Sequence, residues 1–90
     1  MTYKKLTKLA SYKKKTVLIT GSSGQLGQHM VSLFRKLGAK VYGMDIAQIK
    51  NDKLKAKNFI KGDVSNQKLV NGCLYKIFKI EKKIDIIINN

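Results

Sequence analysis

Ninety residues with a formal net charge of +14, 43% hydrophobic and 27% charged residues and no proline are enough for one small domain with a modest core, and too few for two. No apolar run approaches the roughly 20 residues that a bilayer crossing needs, and no secretory signal opens the chain, so membrane association is not expected and the cytoplasm is the expected compartment. A single cysteine and a single histidine exclude an internal disulfide and a zinc site.

Residues 1–15 hold six lysines and no acid and read as a basic leader ahead of a domain spanning residues 16–90. So high a charge is also the footprint of nucleic-acid binders. Here, however, five more lysines fall from Lys50 to Lys61 and five from Lys68 to Lys83, so no one face is singled out. Eighteen of the nineteen basic residues are lysine, whereas phosphate and base readout favours the planar fork of arginine. No specific nucleic-acid partner is therefore expected.

Thr16–Thr20 is a short β-branched apolar run ending at a glycine, the pattern of a strand buried on both faces of a parallel sheet. The run Gly21-Ser22-Ser23-Gly24-Gln25-Leu26-Gly27 follows at once. Leu26, Met30, Leu33, Phe34 and Leu37 then recur at helical spacing and predict an amphipathic helix, stopped by Gly38. His29 falls on its surface.

A second strand runs from Lys40 to Met44 and ends at Asp45. Ile46–Lys57, rich in lysine, predicts a short surface helix or an irregular connection. Asn58–Lys61 makes a brief third strand, closed by Gly62-Asp63-Val64. Ser65 is placed to cap the next helix, whose apolar positions are Leu69, Val70, Cys73, Leu74, Ile77 and Ile80. Cys73 on that stripe reads as an inert core thiol. Ile84–Ile88 forms the last and most hydrophobic strand, before Asn89 and Asn90. Alternating strands and helices of this kind predict a parallel α/β sheet with right-handed crossovers.

The glycine run sits between a buried strand and an amphipathic helix, and an acid follows at the end of the next strand. Those are the conditions for a dinucleotide-binding turn. Glycines let the main chain approach a diphosphate, whose charge is met by free N–H groups at the helix start. Gly21, Ser22, Ser23 and Gly24 are expected to form that cradle, Gln25 and Leu26 to adjoin it, and Gly27 to let helix and strand pack closely. Asp45 is expected to accept the ribose hydroxyls of the adenosine and to repel a 2′-phosphate. Ser23 and Ile46 stand where a basic residue would have welcomed that phosphate, so NAD is expected over NADP.

The segments TGSSGQLG, VYGMD, GDVSN and DIIINN, in that order, resemble the short-chain dehydrogenase/reductase family across Leu9–Asn90. The resemblance implies a Rossmann-like parallel sheet with flanking helices, truncated after the fourth strand. It implies that Asp63 and Val64 contact the adenine, that Asn90 lies beside a ribose of the cofactor, and that Asn89 stabilises the fourth strand. The implied activity is hydride transfer between NAD and a hydroxyl or carbonyl substrate. The family's catalytic serine and its tyrosine four residues before a lysine come later than the Asn-Asn motif, so no catalytic residue is expected in this chain and the chain alone is expected to be inactive.

Tyr75 and Lys79 match that tyrosine-lysine spacing, but they stand on the helix before the fourth strand, too early in the fold to meet the nicotinamide. They read as the solvent side of that helix. The spacing Gly21, Gly24, Gly27 is that of the family's extended, epimerase-like branch, whereas the terminal Asn-Asn resembles the dehydrogenase/reductase branch, which is favoured. A fragment of an NAD-dependent sugar-nucleotide epimerase or dehydratase is the alternative, and a non-catalytic dinucleotide-binding module a further one. With strand order 3-2-1-4, Ile84–Ile88 becomes a bare apolar edge, through which self-association is expected.

Overall fold

The computed structural model describes residues 11–47 and 58–90. Most of the expected leader and most of the lysine-rich connection lie outside the described residues. The elements run β1 (Thr16–Thr20), α1 (Gln25–Lys36), β2 (Lys40–Asp45), β3 (Phe59–Lys61), α2 (Gln67–Glu81) and β4 (Ile86–Asn89). The strands form one parallel sheet in the order β3-β2-β1-β4, the Rossmann-like arrangement expected from the resemblance.

Alternation along β1 explains why both faces are covered. Val17 and Ile19 point to one side, where they meet Val41 and the α1 residue Val31. Leu18 points to the other and packs with Tyr42, Met44, Cys73 and Ile77. All five β1 residues are buried, because a central strand flanked by helices on both faces has no solvated side. Cys73 is buried in the second layer, and burial pushes its thiol pKa up, as suits a core group.

The rotation of α1 differs from the apolar spacing. The face turned to the sheet carries Gly27 and Val31, with Met30 and Phe34 beside them. Leu26 and Leu33, counted in the predicted stripe, are 59% and 42% exposed. The cause is the contact of the bare Cα of Gly27 with the Gly21 turn, which fixes the helix's rotation at its first turn.

Three element ends also differ by a residue or two, each for a local reason. Asn58 precedes β3 because its side-chain amide, not its main chain, donates to the Val41 carbonyl at 3.0 Å. Asn66, not Ser65, caps α2: its Oδ1 accepts the Leu69 N–H at 3.2 Å. β4 starts at Ile86 because Asp85 is used as an anchor. Its main-chain N–H donates to the Thr16 carbonyl at 2.9 Å and its Oδ2 accepts the Thr16 N–H at 2.7 Å. That bond, followed by Lys83 at 3.0 Å, holds the Asp85 carboxyl below its ordinary pKa.

Ahead of β1, the Tyr12 N–H donates to the Leu37 carbonyl at 2.9 Å and its ring meets Phe34 edge-on, centroids 5.4 Å apart. Among the described residues no helix is long and apolar enough to cross a membrane.

Candidate cofactor-binding site

Because all the strands run parallel, their C-terminal ends meet at one edge of the sheet. There Gly21, Asp45, Ile46, Gly62, Asp63, Val64 and Asn90 line a cleft of about 230 Å³. Every one of these except Gly62 is a residue singled out in the sequence. Gly62 could have been found from the same Gly-Asp-Val signal, and its N–H ties β3 to β2 by donating to the Asp45 carbonyl at 2.8 Å. Ser22, Ser23, Gly24, Gln25, Leu26 and Gly27 form the adjoining loop and first helical turn.

The loop turns sharply because Gly21 adopts φ +66°, a conformation strained for any residue with a Cβ. Its amides are arranged differently from the expected cradle. The N–H groups of Gly21 and Ser22 both donate to the Met44 carbonyl, at 2.8 and 3.5 Å, and that of Gly24 to the Gly21 carbonyl at 3.2 Å. The Ser23 N–H donates to Asp45 Oδ2 at 3.0 Å. All the amides from Gly21 to Gly24 are therefore used inside the protein.

In the first turn of α1, Gln25 and Leu26 are exposed beside this loop, whereas Gly27 is buried. That turn has Gly24 at its N-cap, no side-chain cap and no acidic residue. Helical bonding begins with the Gln28 N–H, which donates to the Gly24 carbonyl at 2.9 Å. An uncapped helix start carries partial positive charge and unsatisfied N–H groups, and so suits an anion. Ser22 Oγ is buried with no hydrogen-bond partner among the described residues.

Asp45 Oδ1 accepts the Ile46 and Ala47 N–H groups at 2.7 and 3.4 Å, which turns the chain out of β2. A carboxylate has further lone-pair sites beyond these bonds. Asp63 Oδ1 accepts both the N–H and the hydroxyl of Ser65, at 2.9 and 2.8 Å, and these bonds hold its carboxyl below the usual range. Here Ser65 closes the turn after β3 and leaves the cap to Asn66. At the far side, the Asn90 Nδ2 donates to the Gly21 carbonyl and its N–H to Thr20 Oγ1, each at 3.2 Å. Thr20 Oγ1 in turn donates to Asn89 Oδ1 at 3.0 Å, fastening β4 to the end of β1.

Tyr75 and Lys79 stay apart from the cleft elements: Tyr75 is 69% exposed and Lys79 is exposed beside it on α2. Among the described residues no group of three or more His, Cys, Asp or Glu could hold a metal ion.

A parallel sheet in this order, with a glycine turn opening a helix and an acid at the end of the neighbouring strand, defines a Rossmann-like unit of the dinucleotide-binding class. The chain belongs to the NAD dependent epimerase/dehydratase family, whose model matches residues 17–90. It is 32% identical over 79 residues to an uncharacterised oxidoreductase of Schizosaccharomyces pombe, covering 84% of this chain and 29% of that protein.

Among solved structures it is similar to a short-chain dehydrogenase from Leptospira borgpetersenii with bound NAD+ (30% identity, TM-score 0.78, 99% of this chain and 35% of that one). It is also similar to a 2-keto-3-deoxy-D-gluconate dehydrogenase from Streptococcus agalactiae (30% identity, TM-score 0.78, 99% and 36%). The resemblance to the short-chain dehydrogenases read from the sequence thus holds in three dimensions. The chain spans about a third of the length of these relatives.

Proposed function

We propose that this chain is the NAD-binding portion of a short-chain dehydrogenase/reductase, a protein in which hydride passes between the nicotinamide and a hydroxyl or carbonyl carbon. The observation that carries the reading is the convergence of Gly21, Asp45, Asp63, Val64 and Asn90 on one cleft beside an uncapped helix start.

The residues present fit a dinucleotide. Gly24 has ordinary extended geometry, φ −70° and ψ 168°, and a Cβ there would meet only the Gly21 carbonyl oxygen at an unstrained 3.5 Å. Neither backbone nor internal packing asks for glycine at this position. Close approach of an external group does. In this reading the first-turn amides of α1 bind the diphosphate, Asp45 accepts the ribose hydroxyls, and Asp63 and Val64 flank the adenine. Asn90 stands near a ribose. Bound NAD supplies the hydride acceptor; this chain's residues bind and orient it.

NAD is preferred to NADP because the Asp45 carboxylate disfavours a second negative group, and neither Ser23 nor Ile46 offers a cation to offset it. A cytoplasmic setting and self-association through β4 belong to the same proposal.

Calorimetric titration of the chain with NAD and NADP tests it. NAD is expected to bind more tightly, and Gly24→Ala to weaken binding while leaving stability unchanged or higher by up to about 1 kcal/mol. A folded chain that binds neither dinucleotide refutes the reading. The family model and the Gly21-Gly24-Gly27 spacing favour a second reading, a portion of an NAD-dependent epimerase or dehydratase, in which the same cofactor is used without net redox change.

A further inference from the structure

The carboxylate of Asp45 makes a bond that ribose recognition does not require. Oδ1 is held by the turn it begins, through the Ile46 N–H at 2.7 Å, which fixes the orientation of the whole group. Oδ2 then reaches from the end of β2 across to the glycine loop and accepts the Ser23 N–H at 3.0 Å. The same residue is gripped from its other side: the Gln28 side-chain amide donates to the Ser23 carbonyl at 2.9 Å. Ser23 is thus clamped between β2 and α1, immediately before Gly24, from which the helix starts.

We propose that Asp45 is a positioning residue for the glycine loop, acting through the Ser23 N–H so that the first-turn amides of α1 are set in place before a ligand arrives. The inference rests on the cofactor reading above and adds a second role to the residue. A hydrogen bond to an ionised group is stronger than a neutral one, and a part-buried N–H deprived of its acceptor is costly. Loss of the carboxylate therefore frees the loop as well as removing a sugar contact.

One substitution and a pair of probes separate the roles. Asp45→Ala removes the acceptor of the Ser23 N–H, and loss of a negative charge beside a diphosphate would by itself strengthen binding rather than weaken it. The probes are ADP and its 2′,3′-dideoxy analogue, which has no ribose hydroxyls for residue 45 to hold. The dideoxy nucleotide is expected to bind Asp45→Ala about five- to tenfold more weakly than the unsubstituted chain.

A second readout needs no ligand: amide hydrogen exchange at Ser23 is expected to be slow in the unsubstituted chain. It is expected to become fast in Asp45→Ala. Equal affinities of Asp45→Ala and the unsubstituted chain for the dideoxy nucleotide, or fast exchange at Ser23 in the unsubstituted chain, overturn the proposal. If the unsubstituted chain binds neither nucleotide, the cofactor reading falls and takes this one with it. A protected Ser23 in that case still reports the clamp, so the two failures are told apart.

Discussion

Gly27 lies against the turn at Gly21 so closely that a Cβ built on it would stand 2.0 Å from the Gly21 carbonyl oxygen and 2.9 Å from the Ser22 Cα. Both obstacles are main chain, which cannot rotate aside. Gly27→Ala is therefore expected to destabilise the fold by at least the roughly 1–3 kcal/mol of ordinary overpacking. Urea unfolding checks this, and a variant as stable as the parent would show that the loop can move. Gly24→Ala, three residues away, is the matched control.

The Gly27 contact also marks the limit of what the sequence discloses. The succession of elements was legible because Thr16–Thr20 and the later apolar runs alternate with helical periods, and the order of the strands in the sheet was implied by the family resemblance. The cleft was legible because a parallel sheet brings the ends of all its strands together, and so gathers Gly21, Asp45, Asp63 and Asn90 from distant places. The rotation of α1 was not legible, since Gly27 does not register in an apolar count although it sets the buried face. Nor was the Ser23–Asp45 bond, which depends on where two loops meet in space. Ser65 and Asn66 are both cap-forming residue types, and only the Asp63 turn decides between them.

That choice predicts a measurable difference. Asn66→Ala removes the bond to the Leu69 N–H and is expected to cost about 1 kcal/mol. Ser65→Ala loses only an exposed hydroxyl bond to Asp63 and is expected to cost less. Thermal or chemical unfolding of the two variants side by side decides; the reverse order would return the cap to Ser65.

Tyr42 gives a pH dependence. Its hydroxyl donates to Glu81 Oε2 at 2.5 Å, and burial, followed by this bond and by the Glu81 charge, pushes its pKa from 10.0 up to about 12. The folded value lies above the unfolded one, so the contribution to stability is complete below pH 10 and is lost as pH rises through about 12. The stability difference between the parent and Tyr42→Phe is expected to be flat up to pH 10 and to fall beyond it. A difference that stays constant through that range would show that neither burial nor Glu81 raises the phenol pKa.

The outer edge of β4 is the expected route of self-association. Ile86, Ile87 and Ile88 carry no charge or proline to discourage pairing, and Ile87 is 54% exposed. At micromolar concentration the chain is expected to sediment as a dimer or larger species, with a second copy adding along β4. Ile87→Lys is expected to shift it toward monomer. A monomeric parent would remove the proposal.

The bonds that fasten β1 to β4 run from Thr16 to Asp85, from Thr20 to Asn89 and from Gly21 to Asn90, and each spans 69 residues. Among the described strands β1 thus occupies the middle of the sheet, and it receives one of its two neighbours only when β4 has been made. Until then one flank of the nascent sheet stands open, and the slow, non-local closure of that gap sets the interval in which the growing polypeptide is most exposed to misassembly.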